Sequence, residues 1–361
     1  MVRIATVFSG IGAFEQALLK LHIEHEIVFA CDTGERYVDL PASFLESDFS
    51  KMSNAEREKA VSFFYDKEKK QNYVKQSYFA NYKISNDRWF TDIRFINGNE
   101  YKGKVDIFVG GSPCQSFSVI GKRRGLEDAR GTLFYDYARL VKEIDPKVFI
   151  FENVPGMLNH DKGKTWDVIK TVFESLGYKV YYKVLNSLDY GIPQNRKRLF
   201  VVGFRDNTID FDFPNKTDLN KTMFDYLEDK VEAKHYLGQK GFEFVTNPKH
   251  RNRARVNREI IQTEKANQQF NWNGDFVFEL LNKTKHTSEI LKRAYVGEWN
   301  GKKGVCRQLS YRECMRLMGF PDTYKIVVPN VPAYRQAGNS IVVNVLEAII
   351  INIFKTGALN G

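Results

Sequence analysis

The chain has 361 residues, of which 43% are hydrophobic and 14% aromatic, with 25 Gly and 10 Pro. That composition excludes wholesale disorder and collagen-like or low-complexity chains, and the length predicts two domains or one large domain carrying an inserted lobe. Its 54 basic against 44 acidic residues leave a net charge of +10, which favours a polyanionic partner, although a basic soluble enzyme fits the same surplus.

Strand-like runs at residues 4–8, 27–31, 105–110, 148–151, 179–185 and 199–204 alternate with helical spacing at 14–21, 133–144 and 166–176. The alternation predicts an α/β domain with a mainly parallel sheet, helices on both faces, and ligands beyond the carboxyl ends of the strands. Residues 40–90 interrupt it as a Lys- and Glu-rich surface insertion. Within them Ser53 and Glu56 form a capping-box pattern opening a helix with Val61, Phe64 and Tyr65 on one face. Between 206 and 304 the pattern weakens, and residues 249–258 hold five Lys or Arg and no acid. This stretch reads as a second lobe. A short helix follows at 311–318, ended by Gly319 and Pro321. The longest apolar run, 341–354, is broken by Asn344, Glu347 and Asn352 and is too short to span a bilayer, so a buried helix packed on the sheet is expected. The first residues carry no signal-peptide cleavage pattern, and an intracellular protein without a membrane partner is expected. Cys31, Cys114, Cys306 and Cys314 form no Cys-x-x-Cys pair, which argues against a disulfide framework and a zinc site.

Four segments carry chemistry. Phe8-Ser9-Gly10-Ile11-Gly12-Ala13-Phe14 stands between a strand and a helix, and its glycines allow a tight turn and close approach to a ligand. With Asp32 ending the next strand, it points to an adenosine-containing cofactor, although such loops as often only pack a helix on a strand. No third glycine supports a dinucleotide. Gly110-Gly111-Ser112-Pro113-Cys114-Gln115 puts a cysteine past the end of a strand, where loop amides favour a thiolate. Cys114 is therefore a candidate nucleophile, whereas Cys31, Cys306 and Cys314 fit buried structural thiols better. The glycine-bounded basic loop after it, residues 121–131, could hinge and meet phosphates, although a solvated loop is the default reading. Phe149-Ile150-Phe151-Glu152-Asn153-Val154 ends the neighbouring strand in a carboxylate, able to donate a hydrogen bond if protonated. Finally, Gln194, Arg196 and Arg198 alternate into the last strand and are expected on one face.

In this order at successive strand ends, the four segments resemble those of the DNA (cytosine-5) methyltransferases. Residues 307–324 and 336–346, with Gly338-Asn339-Ser340, look like the family's late motifs. The resemblance covers nearly the whole chain apart from 40–90 and 206–304, the latter corresponding to the family's variable target-recognition region. It implies a Rossmann-like S-adenosylmethionine-dependent methyltransferase fold with a large catalytic domain, 1–205 with 335–361, and a small recognition domain, 206–334. Cys114 would be the nucleophile, with Glu152 and Arg198 holding a flipped-out cytosine and Arg196 supporting them. Phe8, Gly10, Gly12, Asp32, Asp92, Pro113, Leu133 and Asn339 would line the S-adenosylmethionine pocket. Gln115, Ser118, Lys122, Arg123, Arg124, Arg251, Arg253, Arg255 and Arg258 would contact double-stranded DNA. A monomer on DNA, with a possible cognate restriction endonuclease as partner, and no metal are expected. Thr6 stands where the family often has Asp, Ala13 where it usually has Gly, and Asp32-Thr33-Gly34-Glu35 replaces a Glu-x-Asp pattern, so the ribose ligand is Asp32 or Glu35. The same chemistry on transfer RNA, a non-catalytic nucleic-acid-binding relative and a nicotinamide oxidoreductase are the rivals. The long region 206–304 favours DNA over RNA, and the joint presence of Cys114, Glu152 and Arg198 disfavours the other two.

Overall fold

The computed structural model describes residues 1–112, 133–267 and 272–360. Its contacts divide the chain into two compact units, one of Met1–Leu185, Lys197–Asn215 and Leu346–Gly361, the other of Asn186–Arg196 and Lys216–Val345. Against boundaries expected at 206 and 335, contacts thus group residues 186–196 and 335–345 with the second unit and residues 206–215 with the first.

The first unit is built on a seven-stranded sheet. Its strands are β1 (Val2–Val7), β2 (His25–Cys31), β3 (Trp89–Phe90), β4 (Ile107–Gly110), β5 (Val148–Asn153), β6 (Lys179–Asn186) and, after the short β7 (Gln194–Asn195) of the other unit, β8 (Lys197–Phe204). The order is β3-β2-β1-β4-β5-β8-β6. Pairs among β3, β2, β1, β4 and β5 are parallel, while β8 runs antiparallel to β5. Central strands of such a sheet are covered on both faces and need continuous apolar runs. Accordingly Val148, Phe149, Ile150 and Phe151 of β5 are all fully buried. Helices α1 (Ala13–Lys20), α5 (Leu133–Ile144) and α6 (Lys164–Ser175) bury apolar stripes such as Phe134, Tyr137, Leu140, Val141 and Ile144 of α5. Residues 40–90 form α2 (Ala42–Leu45), α3 (Asn54–Lys67) and α4 (Tyr73–Asn81). Helix α3 opens on the expected capping box, with Ser53 and Glu56 bonded reciprocally. Val61 and Tyr65 are buried in a small cluster with Leu40 and Phe95, against which Phe64 packs.

In the second unit β9 (Ala254–Val256), β11 (Gly274–Leu280), β12 (Val296–Trp299) and β13 (Lys302–Gln308) make a four-stranded sheet in the order β12-β13-β11-β9, and β10 (Ile261–Gln262) pairs with β7. Helices α7 (Gln239–Thr246), α8 (Ser288–Arg293), α9 (Tyr311–Leu317) and α10 (Asn330–Asn339) complete it. Gly319, at φ 84°, ends the α9 segment as expected. Among the described residues one stretch, Asn330–Lys355, has the length and hydropathy of a membrane span. It is broken at Ser340, extended at ψ 161°, into α10 and α11 (Val343–Lys355), and Val343, Leu346, Ile349, Ile350 and Ile353 are fully buried, as core helix residues are.

Candidate active site

The glycine segment follows β1 as a run of left-handed backbone: Phe8 at φ 53°, Gly10 at 53° and Gly12 at 76°, the last capping α1. A left-handed Phe is strained, and such strain concentrates at functional sites. The two glycines differ in what surrounds them. A Cβ built on Gly10 meets nothing closer than the Phe8 carbonyl at 4.0 Å, so this face is open, whereas on Gly12 it would lie 2.2 Å from the Tyr82 ring. Asp32 closes the edge. Its Oδ2 accepts from the Gly10 N–H at 2.9 Å and its Oδ1 from the Gly34 N–H at 2.7 Å. Burial pushes this carboxyl's pKa up, and the two amides oppose the rise. Thr6 donates to Glu15 Oε1 (2.9 Å) at the start of α1. Asp92 is more fully engaged than expected of a cofactor ligand: Arg94 and the Tyr65 hydroxyl cover both its oxygens, with Arg94 at 2.6 Å and Tyr65 at 2.9 Å from Oδ2. Leu133 is half-buried against the core at the start of α5, and Asn339 is exposed at the end of α10 in the second unit.

Glu152 and Arg198 come together as expected, with Arg198 Nε 3.1 Å from Glu152 Oε1 and both side chains mostly buried. The antiparallel register explains it: Asn153 lies opposite Leu199, so the start of β8 meets the carboxyl end of β5. Two neighbours that the motif reading passed over prepare this edge. The side-chain amide of Asn153 donates to the Ser112 carbonyl at 2.8 Å. A Cβ on Gly111 would lie 2.7 Å from the Glu152 carbonyl oxygen and 3.0 Å from Oε2, so only glycine lets the chain cross there. The signal for both was present, a Gly-Gly pair and an Asn next to the acid, but pairing strands from sequence gives no side-chain partner. Pro113 and Cys114, the next two residues, and Gln115, Ser118, Lys122, Arg123 and Arg124 lie outside the described residues.

Arg196 corrects the expectation of one shared face. The strand is interrupted there, and Arg196 is 4% exposed, its guanidinium donating to the carbonyls of Glu264 (2.9 Å), Gly338 (2.9 Å) and Ser340 (2.7 Å) within the second unit. Gln194 is likewise buried there, giving a hydrogen bond to the Leu317 carbonyl and taking one from the Glu264 N–H. An extended strand would have aligned the three side chains; the break sends the first two into the fold, and only Arg198 reaches Glu152. Arg196 is thus a positioning residue, clamping the turn that contains Gly338-Asn339-Ser340. Sequence reading also missed Glu264, fully buried between Arg196 and the Cys314 thiol, whose carboxyl is pushed up to about 8 by burial.

Cys31, Cys306 and Cys314 are free and buried, and burial pushes all three thiols up, Cys306 to about 12. None of these is a usable thiolate near neutral pH. In the basic segment Arg251, Arg253 and Arg258 are exposed. Arg255 is half-buried and ion-paired: it sits in β9 opposite Asp275 of β11, and its Nε and Nη2 bond that buried carboxylate at 3.0 and 3.1 Å. Arg253 instead lies over the Phe244 ring, which stacks on His250 at 3.9 Å between centroids and tilts against Trp272.

The model of the family "C-5 cytosine-specific DNA methylase" matches residues 45–355. The chain is 40% identical over 257 residues to the type II methyltransferase M.HhaI of Haemophilus parahaemolyticus, covering 69% of this chain and 75% of that protein. It is 38% identical over 254 residues to the type II methyltransferase M.HpaII of Haemophilus parainfluenzae, covering 68% and 70%. In fold it is similar to a Spodoptera frugiperda DNMT2 variant (TM-score 0.69, 16% identity, 98% of this chain and all of that one) and to the Entamoeba histolytica methyltransferase EhMeth (TM-score 0.67, 14% identity, 98% of each). A Rossmann-like methyltransferase sheet, an acid–arginine pair at its carboxyl edge and these matches agree: the chain belongs to the C-5 cytosine-specific DNA methylase family and is a sequence-specific DNA (cytosine-5) methyltransferase.

Proposed function

We propose that the methyl donor is S-adenosylmethionine and that the methyl group passes to a cytosine rotated out of duplex DNA while Cys114 is bonded to the ring. The observation that carries this reading is the Glu152–Arg198 pair at 3.1 Å, on the sheet edge against which Gly111 and Ser112 lead the chain toward Cys114. The residues around Gly10 fit an adenosine-bearing donor. Its open left-handed face admits a ligand to the backbone, and each Asp32 oxygen keeps a lone pair for a ribose hydroxyl after accepting its amide. This supports Asp32 over Glu35 as the ribose ligand, with Phe8 and Gly10 beside it and Pro113, Leu133 and Asn339 as further wall residues. Asp92, saturated by Arg94 and Tyr65, supports a role in shaping the pocket more than in bonding the ligand.

S-adenosylmethionine supplies an electrophilic methyl group on a sulfonium. Carbon 5 of cytosine is too weak a nucleophile to take it unaided. Addition of the Cys114 thiolate to carbon 6 makes carbon 5 enamine-like. Density pushed toward N3 would be stabilised by a hydrogen bond from Glu152 in its protonated form, and its partner Arg198 can meet O2. Loss of the proton from carbon 5 then restores the ring and expels the thiolate. Because attack is perpendicular to the ring, stacking must be broken first, at a cost of a few kcal/mol. Gln115, Ser118, Lys122, Arg123 and Arg124 after Cys114, and Arg251, Arg253 and Arg258 in the second unit, are the proposed DNA contacts that offset this. The protein would act inside the cell as a monomer on DNA, with a restriction endonuclease as its functional counterpart. Bisulfite sequencing of DNA and of RNA from expressing cells tests the reading, since it reports substrate, base and sequence context together; conversion protection confined to RNA would overturn it.

A further inference from the structure

We propose that the 40–90 insertion is a brace for the cofactor pocket, with Tyr82, Asn72 and Tyr65 as positioning residues for donor binding; the inference rests on the donor reading above. The insertion's own composition does not suggest this, since its exposed faces are mixed Lys and Glu. Its buried side chains, however, end on the backbone turns that build the pocket. Tyr82, at the end of α4, donates its hydroxyl to the Gly12 carbonyl at 2.6 Å and to that of Ile11 at 3.2 Å. Its ring occupies the space a Cβ at position 12 would need. Tyr78 donates to Glu15 Oε1 at 2.5 Å, in the first turn of α1, where Thr6 also donates. At the second turn Asn72 packs on Gly34 so closely that a Cβ there would lie 2.1 Å from its Oδ1, and its amide reaches the Asp32 carbonyl at 3.4 Å. Helix α3 holds the third: Glu58 accepts from the N–H and hydroxyl of Thr91 (2.9 and 2.6 Å), and Tyr65 donates to Asp92.

All these contacts lie within the first unit. Their common consequence is conformational. Gly12 and Gly34 are both left-handed, and glycine is the residue with most freedom to leave such a state. With Tyr82 and Asn72 packed on them, the loop and the Asp32 carboxylate are held before a ligand arrives, which lowers the ordering cost of binding. Of the two glycines that read as ligand-approach positions, Gly12 is thus approached by the protein itself, as Gly34 is at the next turn, and Gly10 keeps an open face.

The test is isothermal titration of the full-length protein with S-adenosylmethionine and its demethylated product, for wild type, Tyr82→Phe, Tyr65→Phe and Asn72→Ser, beside DNA binding and steady-state kinetics. Serine at 72 keeps a cap for α4 while removing the contact with Gly34 and Asp32. Losing one buried hydrogen bond from a preorganised loop should weaken donor binding about three- to tenfold and raise the donor KM equally. DNA affinity and kcat at saturating donor should stay within about twofold. Unchanged donor affinity in all three variants would overturn the proposal, as would parallel losses in donor binding, DNA binding and kcat, which mark general damage. Failure of the wild type to bind either ligand would instead remove the donor reading, and the brace with it.

Discussion

Glu152 is held in place by three features of its surroundings: the guanidinium of Arg198, the close passage of Gly111, and the tether from its neighbour Asn153 to Ser112. If Glu152 bonds N3 as proposed, that bond gains strength as the ring takes on charge, and Glu152→Gln should lower single-turnover rate roughly 10²-fold while changing DNA affinity far less. Equal losses in both would make it only a binding residue. Cys114→Ser should abolish methylation and leave DNA binding intact, because a serine alkoxide is inaccessible at neutral pH and the other three thiols are buried with raised pKa values. Retained turnover in that variant would rule out covalent addition at this position. Glu152 and Arg198 were legible as a pair because each ends or begins a strongly apolar strand. Gly111 and Asn153 were not, since what demands them is a three-dimensional crossing of the chain over a neighbouring strand.

At the scale of elements, periodicity located the six long strands of the first unit and the helices α1, α5 and α6, because each is long, apolar on a regular face and bounded by glycine or polar caps. It failed where burial comes from pairing rather than period. Residues 194–198 alternate like a strand, yet Arg196 turns inward to backbone carbonyls and splits the run. Strands β9 and β13 carry charged residues because ion pairs occupy them: Arg255 with Asp275, and the fully buried Arg307 with Glu279 and Glu313. The basic run 249–258 therefore divides. Removing Arg255 leaves a buried carboxylate unpaired, so Arg255→Ala should cost about 3 kcal/mol of stability, seen as a lowered urea midpoint. Arg251→Ala and Arg253→Ala should leave stability unchanged. If they contact phosphate they should weaken binding to all duplexes alike and reduce the salt slope by about one unit, whereas a guanine contact should cost about 1–3 kcal/mol on the preferred site only. Unaltered affinity and slope in Arg251→Ala, Arg253→Ala and Arg258→Ala together would move the reading surface elsewhere in 206–304.

For the whole molecule, burial raises carboxyls in both units, Glu15, Asp32, Glu58, Asp136 and Asp275 among them. The largest carboxyl shifts, in the second unit, contribute to the pH dependence of stability in opposite directions. Glu279 is held at about 2 by Arg307, His286 and Lys285 despite its burial, so its contribution is present above the ordinary carboxylate range and is lost as pH falls toward 2. His235, lowered to about 4 by burial, adds to that acid limb, since the unfolded chain takes up its proton between about 6.5 and 4. Glu264 works the other way. Its carboxyl is pushed up to about 8 by burial, more than the nearby Arg196 lowers it, so the folded form keeps a proton that the unfolded chain releases near 4.5. The stability it provides is full below that point and declines as pH rises through about 8. Unfolding by urea followed from pH 4 to pH 9 should therefore show a maximum between the two limbs. Glu264→Gln, which keeps the shape and removes the ionisation, should flatten the alkaline side and leave the acid side alone. Arg196, which also clamps Gly338 and Ser340, attracts the Glu264 carboxylate less than burial penalises it, so the wild type, but not Glu264→Gln, should lose stability as pH rises from about 4.5 to about 8. A profile with the same alkaline slope in both proteins would show that Glu264 is already ionised in the fold and that its partners, not its proton, carry its burial.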